Sequence, residues 1–300
     1  MNEGKKFLDS LMNSVKMVGV GAKDVCDKHN QDCSWLLDPL ARWSEKAYGE
    51  DIFLATAKGY AEYSINVSRA QAIYEKNGKY MPELLDTIKA TVYDDEKYMV
   101  PYMWAAILIY AFWPSMVSHI PFFRDEFLNN VAENGKVLEL ACGHGVLGLL
   151  AADYRKDIHV DGLDISAPAI NIANKLLDAS GMQDRVSFQV KDALDLSKAS
   201  EGGSYKGIIA AMLAEHLENP KILFKILKHH LAEDGIIYFS TALESFQKDH
   251  VYEFNNESEP ILMAEEAGLR VEKLISCSSK TNTRPTRFNP RAMAMILRHK

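Results

Sequence analysis

The run KVLELACGHGVLGLLAA, from Lys136 to Ala152, constrains the fold more than any other part of the chain. A short apolar stretch leads into Gly143, Gly145 and Gly148 in the spacing G-x-G-x-x-G, and a helix-length apolar segment follows. Glycines at such positions let the backbone turn and approach a ligand where a Cβ would collide. A helix opening at that point offers free N–H groups and the positive end of its dipole. Asp164, about twenty residues further on at the end of HVDGLDI, stands where a carboxylate accepts hydrogen bonds from a ribose diol. The pattern predicts a strand, loop, helix and second strand that hold an adenosine cofactor, either a dinucleotide or another molecule bound by the same physics.

From Gly135 onward short apolar runs alternate with helical segments. KVLELA, IHVDGLDI, VSFQVKD, YKGIIAAML, IIYFSTAL, RVEKLISCSS and RAMAMILRH read as strands. Between them VLGLLAADYR, PAINIANKLLDASG, NPKILFKILKHHLAEDG and SEPILMAEEAGL read as helices, the third of these ending at Gly235. Such alternation argues for a parallel sheet covered on both faces. Before about residue 130 the apolar residues recur at helical spacing with no β-alternating run. The expected organisation is an all-helical region over residues 1–130, forming a lid and a dimerisation surface. An α/β domain with a seven-stranded, mostly parallel, doubly wound sheet then covers residues 131–300.

Met99 to Phe123 carries no Asp, Glu, Lys or Arg. It is long enough to span a bilayer, but Pro101, Pro114 and Pro121 divide it into pieces that suit a buried helix better. No membrane insertion is expected; the run is read as a pocket wall or a homodimer interface. The net charge of −7, without a basic block, disfavours nucleic acid as a partner. CDKHNQDC is too sparse in ligands for a metal site, so no metal is expected, and Cys26 and Cys33 read as reduced thiols in a polar loop. The opening MNEGKKFLDSLM is not a secretory signal, which points to a cytoplasmic protein.

Glu139 separates the cofactor candidates. A charge inside a strand buried on both faces needs a partner. S-adenosylmethionine (SAM) brings an ammonium group, whereas NAD would place a pyrophosphate nearby. VLELACGHG resembles the first motif of class I SAM-dependent methyltransferases, with Ala141 in place of the usual first glycine. HVDGLDIS, VSFQVKDAL, YKGIIAAMLAEHLENP and LAEDGIIYFSTA are similar to the later motifs of that family, in the same order, although Lys206 replaces an expected Asp. The resemblance implies SAM as cofactor and S-adenosylhomocysteine as product. It implies cofactor contacts from Glu139, Ala141, Gly143, Gly145, Asp164, Ile165, Asp192, Ala193, Ala210 and Met212.

Ligands of such sheets sit at the C-terminal ends of the strands. Loops there present His216 and His250 as candidate bases and Tyr252, Arg284 and Arg287 as candidate substrate contacts, with Trp113 from the helical region. Imidazole titrates in the range useful for taking a proton from a hydroxyl or ammonium acceptor. The expected function is methyl transfer to oxygen or nitrogen of a small molecule or peptide in secondary or quinone-type metabolism. The competing readings are a SAM-fold enzyme doing pericyclic, decarboxylative or hydroxylating chemistry, an inactive SAM-fold binding subunit, and an NAD-dependent oxidoreductase.

Overall fold

The period of two in the strand sequences divides the core into two layers. Val137 and Ile209 face one cluster of buried side chains, while their chain neighbours Leu138 and Ile208 face the other. These assignments come from a computed structural model that describes residues 2–198, 202–278 and 288–300.

Helices α1 (Lys5–Ser14), α2 (Lys16–Lys28), α3 (Asn30–Tyr48), α4 (Ile52–Asn77), α5 (Leu85–Ile88), α6 (Glu96–Phe112) and α7 (His119–Pro121) precede the sheet. Then follow β1 (Lys136–Leu140), α8 (Val146–Tyr154), β2 (His159–Asp164), α9 (Ala167–Ser180), β3 (Val186–Val190) and β4 (Tyr205–Ala211). The chain continues with α10 (Pro220–His230), β5 (Leu231–Leu243), α11 (Ser258–Glu266), β6 (Leu269–Ser278) and β7 (Arg291–His299). The seven strands lie in the order β3-β2-β1-β4-β5-β7-β6. The first five are parallel, and β7 runs antiparallel between β5 and β6. The expected seven-stranded, mostly parallel sheet is what forms.

One face of the sheet packs on α10 and α11 through Leu223, Phe224, Leu227 and Met263. The other packs on α8 and α9, and the same apolar cluster continues without a break into α1, α3, α4 and α6. Lys46 of α3 donates to the carbonyl of Ala179, and Ser166 at the cap of α9 donates to the carbonyl of Tyr93. The helical region thus shares a core with the α/β region.

Three expectations change. Pro101 does not divide the apolar run: α6 passes through it and ends at Phe112, before Pro114. A proline in the second turn removes one N–H, and ten buried side chains hold the helix regardless. Cys26 and Cys33 lie on α2 and α3, fully buried, with both thiols directed at the carbonyl of Ala111. They are packing residues of helices, with no polar loop around them. Helix α10 stops at His230 and not at Gly235, because Leu231 already pairs with Tyr205 in the sheet. No helix among the described residues is long and apolar enough to cross a membrane. The run from Met99 is covered by its own chain, and it forms one wall of the cavity described next.

Candidate active site

At the C-terminal ends of the parallel strands lies a cavity of about 340 Å³. The glycine loop forms its floor. Ala141 and Gly143 both take the left-handed backbone conformation, with φ of 51° and 53°. Gly143 N–H donates to Asp164 Oδ2 at 2.8 Å, and Ser166 N–H donates to Asp164 Oδ1 at 2.8 Å. The strand-two carboxylate therefore braces the loop as well as facing the cavity. Gly148 N–H donates to Glu139 Oε2 at 3.0 Å. Burial pushes the Glu139 carboxyl up to about 8, with the Asp164 charge adding to the rise and the Gly148 hydrogen bond opposing it.

Glu139 tests whether SAM fits. It is 3% exposed, lines the cavity, and has no ion-pair partner among the described residues. A ligand ammonium is the group that such a carboxylate lacks. Asp164 and Asp192 also line the cavity, at the ends of the next two strands. These three acids would hold the ammonium, the ribose and the adenine amine.

Of the residues expected to bind the cofactor, Glu139, Ala141, Gly143, Asp164, Ile165, Asp192, Ala193 and Met212 line this cavity. Gly145 and Ala210 do not. Gly145 has φ 69°, and a Cβ there would lie 2.5 Å from the Phe188 ring, so its glycine serves the turn and the packing beneath it. Ala210 is fully buried within β4, among the residues packed toward α10 and α11.

His216 and His250 both reach the cavity, with ring centroids 5.0 Å apart and planes at 89°. His216 Nδ1 lies 2.9 Å from the carbonyl oxygen of Asp249, and His250 Nδ1 lies 2.7 Å from that of Ser245. A carbonyl only accepts, so in both rings Nδ1 carries the hydrogen and the neutral imidazole keeps its lone pair on Nε2. Burial pushes His216 down, but the Asp249 and Glu215 carboxylates outweigh that and leave it above the ordinary histidine value. Burial and the neighbouring His216 lower His250.

Trp113 is absent from this cavity. It stacks on Tyr63 and lines an adjoining cavity of about 520 Å³, separated from the first by Ile109, Met212 and Gln247. Tyr252 packs on Phe254, against the side of the core that meets α10 and α11, and lines neither. Arg284 and Arg287 lie outside the described residues.

Sequence reasoning expected the helical region as a lid but missed the polar contacts of this roof. Tyr102 donates to Asp249 Oδ2 at 2.8 Å, Tyr63 donates to Gln247 at 2.8 Å, and the Tyr93 hydroxyl lies 3.3 Å from His216 Nδ1. It also missed His144, which lines the floor and accepts from Val146 N–H at 3.0 Å; burial lowers it to about 3. An acid beside a histidine, as in Gln247-Lys248-Asp249-His250, was the one local signal available for Asp249.

A family model described as a methyltransferase domain matches residues 116–299, more than half of the chain. The chain belongs to that methyltransferase-domain family. Family and fold are those of class I SAM-dependent methyltransferases. Among curated relatives, the ubiquinone biosynthesis O-methyltransferase of Actinobacillus pleuropneumoniae is 27% identical over 107 residues, which is 35% of this chain and 45% of that protein. The chain thus spans less than half the length of that relative. Among solved structures, the geranyl diphosphate C-methyltransferase of Streptomyces coelicolor, in complex with Mg2+, geranyl diphosphate and S-adenosylhomocysteine, gives a TM-score of 0.52. The match is at 12% identity over 66% of this chain and 84% of that one. The [4+2]-cyclase SpnF gives 0.51 at 14% identity over 62% and 82%. At these identities the structural likenesses speak for the fold alone, and the methyltransferase fold is what they share with this chain.

Proposed function

We propose that this methyltransferase moves a methyl group from SAM to an oxygen or nitrogen of a small molecule or peptide in secondary or quinone-type metabolism. The observation that carries the proposal is the buried Glu139, without an ion-pair partner among the described residues, in a cavity that also presents two imidazoles with Nε2 lone pairs. When bound, SAM supplies a methyl on a sulfonium; the acceptor forms the new bond, the sulfur–methyl bond breaks, and S-adenosylhomocysteine remains.

The chain has three tasks. Glu139, Asp164 and Asp192 anchor the cofactor. Met99, Met103, Ile109 and Tyr110 of α6 exclude water, which strengthens every charge interaction inside. The cluster of Glu215, His216 and His250 takes charge of the acceptor's proton. Trp113 is proposed to contact the far end of a larger acceptor from the adjoining cavity. A reducing cytoplasm suits the free thiols Cys26, Cys33, Cys142 and Cys277. A homodimer through the N-terminal helices is supported by exposed Met17 and Val20 on α2 and Leu54, Ile65 and Ile73 on α4.

Calorimetry with SAM, followed by detection of S-adenosylhomocysteine after incubation with catechol or benzylamine as acceptor, tests the proposal. Replacing His216 with Ala should lower turnover by about 10²–10⁴ while SAM affinity holds. SAM binding without any product, or full turnover in both His216→Ala and His250→Ala, counts against it.

A further inference from the structure

The residues that face the acceptor have the composition and support of a metal centre. A carboxylate oxygen of Glu215 and one ring nitrogen each of His216 and His250 lie within 4.8 Å of one another. Two imidazoles and a carboxylate are a donor set of catalytic zinc sites, where three protein ligands leave a fourth position for water or substrate. Spacing in the sequence hides the set, because His250 arrives from a different loop, 34 positions after His216.

Each donor is also held from behind. His216 and His250 give their Nδ1 hydrogens to backbone carbonyls at 2.9 and 2.7 Å, which turns both Nε2 lone pairs loose. Thr241 Oγ1 donates to Glu215 Oε2 at 2.7 Å, and Ala242 N–H donates to Oε1 at 3.3 Å; each oxygen keeps a second lone pair. Outer hydrogen bonds of this kind orient metal ligands and select the tautomer. Charge points the same way. Glu215 is 1% exposed and Asp249 3%, and no Lys or Arg lines the cavity among the described residues. Tetrahedral bonds of about 2.0–2.1 Å set donors about 3.4 Å apart, so a pair at the 4.8 Å limit would close by about 1.4 Å on binding.

We propose that Glu215, His216 and His250 bind one divalent transition metal ion, zinc by donor type, with an open position toward the acceptor. The binding stands apart from the methyltransferase reading; the ion's role, lowering the pKa of an acceptor hydroxyl so that it reacts as its anion, rests on that reading. His216 is then a ligand, and the ion replaces a free imidazole in handling the proton.

The test uses the tag-free full chain, stripped with EDTA and titrated with Zn2+ by calorimetry and by equilibrium dialysis with metal analysis. One equivalent should bind. His250→Ala and Glu215→Gln should each weaken it by about 100-fold or more, given that even outer-shell changes cost about 10–100-fold. Cobalt in place of zinc should give visible d–d absorption that both variants lose. Thermal melts check that the variants fold, and wild-type binding decides the matter even where they do not. No stoichiometric zinc in the wild type, or equal zinc in wild type and a folded His250→Ala, overturns the site. SAM calorimetry on the stripped protein separates the two readings: zinc without SAM leaves the site standing and removes the methyltransferase, and SAM without zinc does the reverse.

Discussion

Glu139 shows how one side chain can report on its ligand. Its carboxyl is raised to about 8, so at pH 7 the ligand-free protein holds it mostly protonated. An ammonium beside it favours the carboxylate. The groups facing it are the Asp164 charge, the Cys142 thiol and the Gly148 N–H donor, and none of them is a cation. A site that loses a proton on binding gains affinity as pH rises, so SAM should bind more tightly from pH 6 toward about 8 and release a proton near neutrality. Calorimetry in two buffers of different ionisation enthalpy reads that proton, and Glu139→Gln should abolish it. Buffer-independent heats would place the ammonium elsewhere. Asp164 braces Gly143 and Ser166 and is proposed to face the ribose as well. Asp164→Ala should therefore cost about 1–3 kcal/mol of SAM affinity, measured by the same method. An unchanged dissociation constant would remove the ribose assignment.

At the scale of elements, two glycines at helix ends separate backbone strain from packing. Gly181 closes α9 with φ 76°, and a Cβ there would meet nothing within 4 Å. Gly145 opens α8 with φ 69°, and its Cβ would strike the Phe188 ring. Gly181→Ala should cost only the left-handed backbone, about 1–2 kcal/mol. Gly145→Ala should add about 1–3 kcal/mol of overpacking. Urea denaturation of the two variants checks the order; equal losses would show that Phe188 moves aside freely. The distinction was not legible in the sequence, where Gly145 read as part of the cofactor loop and Gly181 as the end of a helical segment. Ala141 makes the converse point. It occupies a left-handed position where the family resemblance leads one to expect glycine, and the loop still forms, with Cys142 N–H held by the Leu163 carbonyl at 2.9 Å.

For the whole molecule, the question is what covers the helical region. The uncharged run from Met99 is buried against the chain's own sheet and cavity, so a dimer must use other side chains. Met17 is 82% exposed and Ile73 54%, on α2 and α4. Exposed apolar side chains such as these are the candidates for a dimer surface. Light scattering should give twice the 33.7 kDa chain mass, and Met17→Lys with Ile73→Lys should return it to the monomer. A monomer at every concentration would refute the dimer and leave the cavity as it is.

Apart from Asp192, which only the family resemblance pointed to, the strand–helix alternation, the glycine loop and the acids Glu139 and Asp164 were legible in the sequence. Each is local: a period of two or 3.6, a turn that demands a missing Cβ, or a charge inside an apolar strand. The partners of the roof's polar groups were not. Tyr93 meets His216 across 123 positions, and Tyr63 meets Gln247 across 184. Nothing in the spacing around Tyr63 marks it off from an ordinary core aromatic, and Tyr252 shows the same ambiguity resolved the other way. Asp249 and His250 become partners of His216 only because β5 lies beside β4 and the Glu215 carbonyl accepts from Val251 and Tyr252, which folds that loop back over the strand ends. Local periodicity fixes which face of an element is apolar; which loops meet above the sheet is decided when distant elements pack, and that is where the proposed catalytic side of this protein is built.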